Sequence, residues 1–236
     1  MGRLHDRHAT EPDMSDSTQM PTRLRIDFVS DVVCPWCAIG LASLEQALER
    51  TNGEVEADLH FQPFELNPQL GAEGEDAVEH LQQKYGMPAE QVAANQESIR
   101  RRGADLGFTF DMERRRRVYN TFDAHRLLTW AEEEGRQREL KHVLLRAYFT
   151  DGRDVSDHET LAAIAGEAGL PEDRAREILA SDAYAHDVRT VEQFFQKQGI
   201  RGVPAVIIER KHLISGGQPV EVFERALREI AAAKVG

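Results

Sequence analysis

Cys34 and Cys37 are the only cysteines in a chain of 236 residues. They stand three positions apart in DFVSDVVCPWCAIGLASLEQAL, residues 27–48. A pair this close allows three roles: thiol–disulfide exchange, half of a metal site, or two inert buried side chains. Exchange needs a sulfur that ionises and a second one near enough to close a disulfide, with Cα atoms ~4.4–6.8 Å apart. Residues three apart on one helical turn meet that condition. A metal site needs further ligands, but there is no second cysteine pair, and the nine histidines lack the H-x3–5-H spacing of a zinc site. The residues favour a redox pair and no metal.

The neighbouring elements must position those sulfurs. LRIDFVSDVV (24–33) reads as a strand, with Leu24, Ile26 and Phe28 alternating with Arg25 and Asp27. From Pro35 the period becomes helical, through Ile39, Leu41, Leu44, Ala47 and Leu48, and the run stops at TNG (51–53). Proline suits the first helical position, where its missing N–H has no partner to lose. Cys34 is therefore expected at the N-cap and Cys37 at N3. An N-cap sulfur would accept from the N–H groups of Trp36 and Cys37, and the helix dipole adds positive charge there. Both effects favour the thiolate of Cys34, exposed at the turn, as the nucleophile, with the more covered Cys37 resolving the mixed disulfide. Trp36 is neutral and Asp31 opposes the thiolate, so only the helix N-terminus stabilises it. A potential between roughly −270 and −180 mV is expected, which in a reducing compartment gives a reductase or isomerase.

A second strand is expected in VEADLHFQPFEL (55–66). Helices follow at 75–86 and 88–107, ended by Gly86 and by Gly103 or Gly107. Further helices are expected at 118–135, ended by Gly135, and at 139–152. Ser156 and Glu159 have capping-box spacing, and Pro171 opens another helix. DVRTVEQFFQKQGI (187–200) is amphipathic. It precedes a strand (205–209), a turn at Arg210–Lys211, a strand (212–215), Gly216–Gly217 and a closing helix. The order is βαβ, helical insertion, αββα, an α/β chain. It divides into a disordered tail (1–22), a first sheet half (23–70), a helical insertion (71–186) and a second sheet half (187–236).

The chain is 41% hydrophobic and 30% charged, a soluble globular composition. Its net charge of −12 argues against nucleic acid or an anionic membrane as partner. The basic runs Arg100–Arg102 and Arg114–Arg117 read as solvated helix faces. Residues 1–22 lack an apolar h-region, and no apolar run reaches the ~18 residues of a membrane span. His5 and His8 read as solvent-exposed. A cytoplasmic location is expected, and there a CxxC is more often catalytic or metal-binding than a staple.

The CxxC opening a helix, with GVP before the third strand, resembles the thioredoxin superfamily, and the helical insertion resembles its DsbA branch. DVVCPWCAIG (31–40), PFELNP (63–68), NTFDAHRL (120–127), AYFTDGRDVSDHETL (147–161) and GVPAVII (202–208) resemble FrnE-like, cytoplasmic DsbA-type oxidoreductases. The resemblance implies a thioredoxin fold with a large helical insertion and dithiol–disulfide exchange on protein or small-molecule disulfides. Cys34 and Cys37 would be catalytic, supported by Pro35, Trp36, Val203 and a cis Pro204 facing them. Phe64, Asn67, Asn120 and His125 would line the cleft. From the residues alone Pro204 is equally a strand-opening proline, and Asn120 and His125 are ordinary helix residues. No bound cofactor is implied, and electrons would be exchanged with glutathione or a thioredoxin-type donor. A homodimer is compatible with the sequence. Ala38 and Ala205 depart from the bulkier residues usual in the family, which bears on substrate preference. Kappa-class glutathione transferases and hydroxychromene-carboxylate isomerases share the branch, typically with Ser at the nucleophile position. Glutathione-dependent isomerisation or transfer is therefore the alternative, and a non-catalytic peptide-binding or chaperone module is a third.

Overall fold

The apolar stretch ahead of the cysteines forms β1 (Thr22–Ser30), one of the two inner strands of a four-stranded sheet, in a computed structural model that describes residues 20–71 and 73–235. Of the expected tail, residues 1–19 lie outside the described residues, whereas Thr22 already pairs with Val55. α1 (Pro35–Arg50) crosses to β2 (Val55–Pro63), which runs parallel to β1 with Phe28 opposite Phe61. The sheet is completed from the far end of the chain by β5 (Ala205–Ile208) and β6 (His212–Ser215). Its order is β2-β1-β5-β6, with β5 antiparallel to both neighbours.

Between the two sheet halves lie β3 (Glu75–Asp76), α2 (Ala77–Tyr85), α3 (Ala89–Asp105), β4 (Arg117–Val118), α4 (Phe122–Glu133), α5 (Gln137–Phe149), α6 (His158–Glu167) and α7 (Glu172–Leu179). α8 (Ala185–Lys197) and α9 (Val220–Val235) flank the returning strands. β1 is buried on both faces. Leu24, Ile26 and Phe28 enter the main core, while Val29 joins Phe195, Ile200 and Ala205 in a smaller one under α8. That explains why the strand's end reads as continuously apolar.

Several local expectations shift. The α6 cap is Asp157, whose carboxylate accepts from Thr160 N–H at 2.8 Å, so Ser156–Glu159 is not the capping box. α3 runs through Gly103, where a Cβ would meet the Phe110 ring at 2.4 Å; Gly107, at φ 78°, is the left-handed residue beyond its end. The β5–β6 turn centres on Glu209 and Arg210, both left-handed, as the twist of a tight hairpin requires. Arg114–Arg117 is not helical, and Arg115 is buried against Tyr148 and Phe149. A short β3–β4 ladder, pairing Glu75 with Val118, had no legible signal.

Candidate active site

Three backbone turns converge on the cysteines. Cys34 is the N-cap of α1 with extended backbone (φ −89°, ψ 114°), Pro35 opens the helix, and Cys37 N–H donates to Cys34 O at 3.0 Å. The second turn carries Pro204, joined to Val203 by a cis peptide bond. The third is Gly216–Gly217. Gly40 and Gly217 let these segments touch. A Cβ at Gly40 would sit 3.0 Å from Pro204 Cγ, and one at Gly217 would sit 2.9 Å from Trp36 O. Arg102 of α3 locks the assembly, stacking 5.5 Å from the Trp36 ring centroid and donating to Gly217 O at 2.8 Å.

Both thiols are free, and their environments differ from the sequence expectation. Cys34 makes no cap hydrogen bond to the helix N–H groups; its thiol points across the gap and donates to Val203 O at 3.7 Å. It is only 4% exposed, not open at the turn, because the proline loop covers it. Cys37 is fully covered. Burial, then the hydrogen bond and charge of Cys34, push the Cys37 thiol well above its ordinary value, while Lys141 pulls it back. In the resting dithiol, the deeper sulfur therefore holds its proton.

Cys34 opens into a cavity of about 310 Å³ between this end of the sheet and the α2–α3 hairpin. Val203, Pro35 and Trp36 form one wall; Asn67, Lys84, Tyr85 and Arg115 are among the others. Among the described residues no Asp or Glu lines it, in a chain of net charge −12. Lys84 donates to Leu66 O at 2.8 Å and Asn67 Oδ1 at 2.5 Å; burial pulls its ammonium down, and Asp31 and Cys34 push it up. Arg115 donates to Tyr148 Oη at 3.1 Å.

Of the residues expected to line the cleft, Asn67 does. Its Oδ1 receives Lys84 and faces His80 Nε2 at 3.0 Å. Phe64, Asn120 and His125 stand outside the cavity lining. The Phe64 ring packs into the smaller core, and its carbonyl meets His125 Nε2 at 3.2 Å. Asn120 donates to Pro68 O and Leu70 O and accepts from Phe122 N–H at 2.9 Å. Backbone bonds occupy these polar groups, so they brace the loop after β2 from behind. Ala38 and Ala205 are buried and leave no side chain in the cavity.

Behind this wall, buried Asp31 accepts from Leu66 N–H at 2.7 Å and Val33 N–H at 3.4 Å, and lies 3.6 Å from His125 Nε2. Burial pushes its carboxyl up. The bond and charge of His125, together with Leu66 N–H and Thr121, outweigh that and hold it below the ordinary value. Glu65 next door pairs with Arg189, which also bridges Glu192 at 2.8 Å. Burial and then the charge of Glu192 push Glu65 up to about 7 despite the arginine.

Sequence reading missed Lys84, Arg102, Arg115 and Lys141. Their basic character is that of solvated residues, and only packing brings Arg102 to the Trp36 turn, Lys84 and Arg115 to the cavity, and Lys141 into the core. Among the described residues no group of three or more His, Cys, Asp or Glu could hold a metal, and no helix is long and apolar enough to cross a membrane.

This geometry belongs to a known class. The DSBA-like thioredoxin domain matches residues 25–228. The uncharacterized protein YwbO of Bacillus subtilis is 26% identical over 207 residues, covering 87% of this chain and 96% of that protein. The solved structure of the probable DsbA oxidoreductase SCO1869 from Streptomyces coelicolor superposes with a TM-score of 0.82 at 35% identity, over 89% of this chain and 91% of that one. The cytosolic disulfide reductase DsbM from Pseudomonas aeruginosa, solved with GSH, has a TM-score of 0.57 at 17% identity, over 89% and 98% of the two chains. A 2-hydroxychromene-2-carboxylate isomerase has a TM-score of 0.64 at 13% identity, also over 89% and 98%. These last two likenesses are of fold alone. With a match running from β1 into the last helix and the two sulfurs at the start of α1, the chain belongs to the DSBA-like thioredoxin domain family.

Proposed function

We propose that this protein is a cytoplasmic, FrnE-like thiol–disulfide oxidoreductase or isomerase that exchanges its Cys34–Cys37 pair with protein or small-molecule disulfides. One observation carries the reading: Cys34 stands at a helix N-terminus facing both the Val203 carbonyl and a cavity, with Cys37 directly beneath it and fully covered. In the reductive direction the Cys34 thiolate attacks one sulfur of a substrate disulfide. The other sulfur leaves as a thiolate, and a mixed disulfide remains. Cys37, once deprotonated, attacks Cys34 Sγ, expels the second substrate thiolate and closes the intramolecular disulfide. Two electrons pass to the substrate, and its thiolates take up two protons. An extended substrate would lie along Val203.

The acid-free cavity, with Lys84 and Arg115 in its lining, suits a carboxylate-bearing thiol. Glutathione is therefore the proposed electron donor, in keeping with the DsbM structure solved with GSH. No resident cofactor is proposed. Cys34→Ser is expected to reduce exchange with a model disulfide to background, while Cys37→Ser accumulates stable mixed disulfides. A Cys37→Ser protein that traps nothing, with Cys34 alkylating no faster than Cys37, would refute the roles.

The second reading is a glutathione-dependent isomerase or transferase, favoured by the fold likeness to the hydroxychromene-carboxylate isomerase. It needs no resolving thiol, so activity would survive Cys37→Ser. A peptide-binding module would survive Cys34→Ser as well.

A further inference from the structure

Lys141, on α5, is fully buried, and its Nζ has no hydrogen-bond partner among the described residues. Its Nζ stands over the ring of Phe61 of β2, 5.9 Å from the centroid. An isolated ammonium in such a place is expensive, and buried lysines ordinarily have a paired carboxylate or turn outward. Neither holds here. Asp31, the one carboxylate among the described residues that acts on Lys141, spends its oxygens on Leu66 N–H, Val33 N–H, Thr121 and His125. The titratable groups that act on Lys141 come from α1 and the turn before it: Cys37 most strongly, then Asp31, then Cys34.

We propose that Lys141 is the countercharge of the resolving thiol: the proton that leaves Cys37 Sγ is balanced by one held at Lys141 Nζ, so that the buried thiolate forms opposite an ammonium. The proposal rests on the exchange function above and names a positioning residue for its second half. In the resting dithiol, burial favours the thiol of Cys37 and pulls the Lys141 ammonium down toward the neutral amine. Each charged form stabilises the other, so thiol plus amine converts to thiolate plus ammonium without net charge entering the core. The thiolate then attacks Cys34 Sγ in the mixed disulfide, the Cys34–substrate S–S bond breaks and the Cys34–Cys37 bond forms. The departing substrate thiolate takes a proton from solvent, and Lys141, having lost its thiolate partner, releases one. Electrons and protons balance without another reactant. Asp31 cannot take this part, because its hydrogen bonds make it a weak base.

The test uses the full chain and a chromogenic aryl disulfide, dithiobis(nitrobenzoate), in stopped flow. Attack by Cys34 releases the first coloured thiolate, and attack by Cys37 on the mixed disulfide releases the second. Lys141→Met keeps the volume and removes the charge. The first phase is expected to stay within about twofold of wild type. The second should slow at least tenfold at pH 7, the effect of raising a thiol by about one pKa unit, and recover as pH rises. Lys141→Gln, polar but without a base, serves if the Met variant does not fold, and should show the same selective slowing. Equal slowing of both phases, or an unshifted pH profile of the second, overturns the proposal. Absence of the first phase in wild type overturns the exchange function itself, which a normal first phase with an unchanged second phase in the variants does not.

Discussion

Removing the Asp31 carboxylate should cost more than its place in a short turn suggests. The residue is wholly buried, and its oxygens hold the N–H of Leu66 and the N–H of Val33 and face His125. Asp31→Ala strands those donors and leaves His125 without its acid. Charge-assisted bonds contribute about 1.5–3 kcal/mol each, and breaking a buried pair by deleting one partner costs about 3–5 kcal/mol. The 3.4 Å bond is long, so the expected loss is about 3–5 kcal/mol. At about 2–4 °C per kcal/mol for a chain of this size, that is roughly 6–20 °C in Tm. The pH dependence follows from linkage. The folded carboxyl lies below the ordinary value of 3.8, so the unfolded state binds the proton more readily. Asp31 therefore contributes fully above the unfolded value, and its contribution is lost as pH falls through the folded one. Urea unfolding of wild type and Asp31→Ala at pH 7 and at pH 3 measures the difference. The gap should be several kcal/mol at pH 7 and should shrink at pH 3. A gap under about 1 kcal/mol at pH 7, or one that does not narrow in acid, would refute the assignment of the stabilisation to the charged carboxylate.

Gln137→Leu removes a side chain that acts as a strand partner at the sheet edge. Its amide bonds Phe61 N–H at 2.9 Å, Phe61 O at 3.0 Å and Leu128 O at 3.3 Å. A loss of about 2–4 kcal/mol is expected in denaturant unfolding; an unchanged midpoint would remove this role. Gly40→Val drives a branched side chain into Pro204, which already lies 3.0 Å from the site of a Cβ. It should cost about 1–3 kcal/mol and slow exchange by displacing the Val203 loop, and full stability with full activity would contradict the packing. The Cys34–Cys37 couple, equilibrated against glutathione buffers, should fall between roughly −270 and −180 mV, because buried Asp31 offsets the cations that the fold brings near; a value near ~−120 mV would sink that balance.

The sequence by itself determined the spacing of the cysteine pair and its local setting. An apolar strand just ahead of the cysteines, a proline at the first helical position and two cysteines one turn apart are consequences of nearest-neighbour chemistry, and β1, α1 and the cis Pro204 loop stand where those residues or the family resemblance put them. The period change at Pro35 and the glycines at 86 and 135 were equally legible, since a helix stop depends on a few adjacent residues. Tertiary structure decided everything that depends on which distant side chain fills a given space. Cys34 faces Val203 instead of its own helix N–H groups because the proline loop lies opposite it. Arg115, one of four consecutive arginines, is buried because Tyr148 and Phe149 offer it ring faces. Lys141 is buried where Cys37 is the charge that acts on it most strongly, while Asn120 and His125 turn to backbone carbonyls and stand outside the cavity lining. A basic residue at helical spacing looks the same whether its face meets solvent or a sulfur, because periodicity records that a face is buried and not what it is buried against.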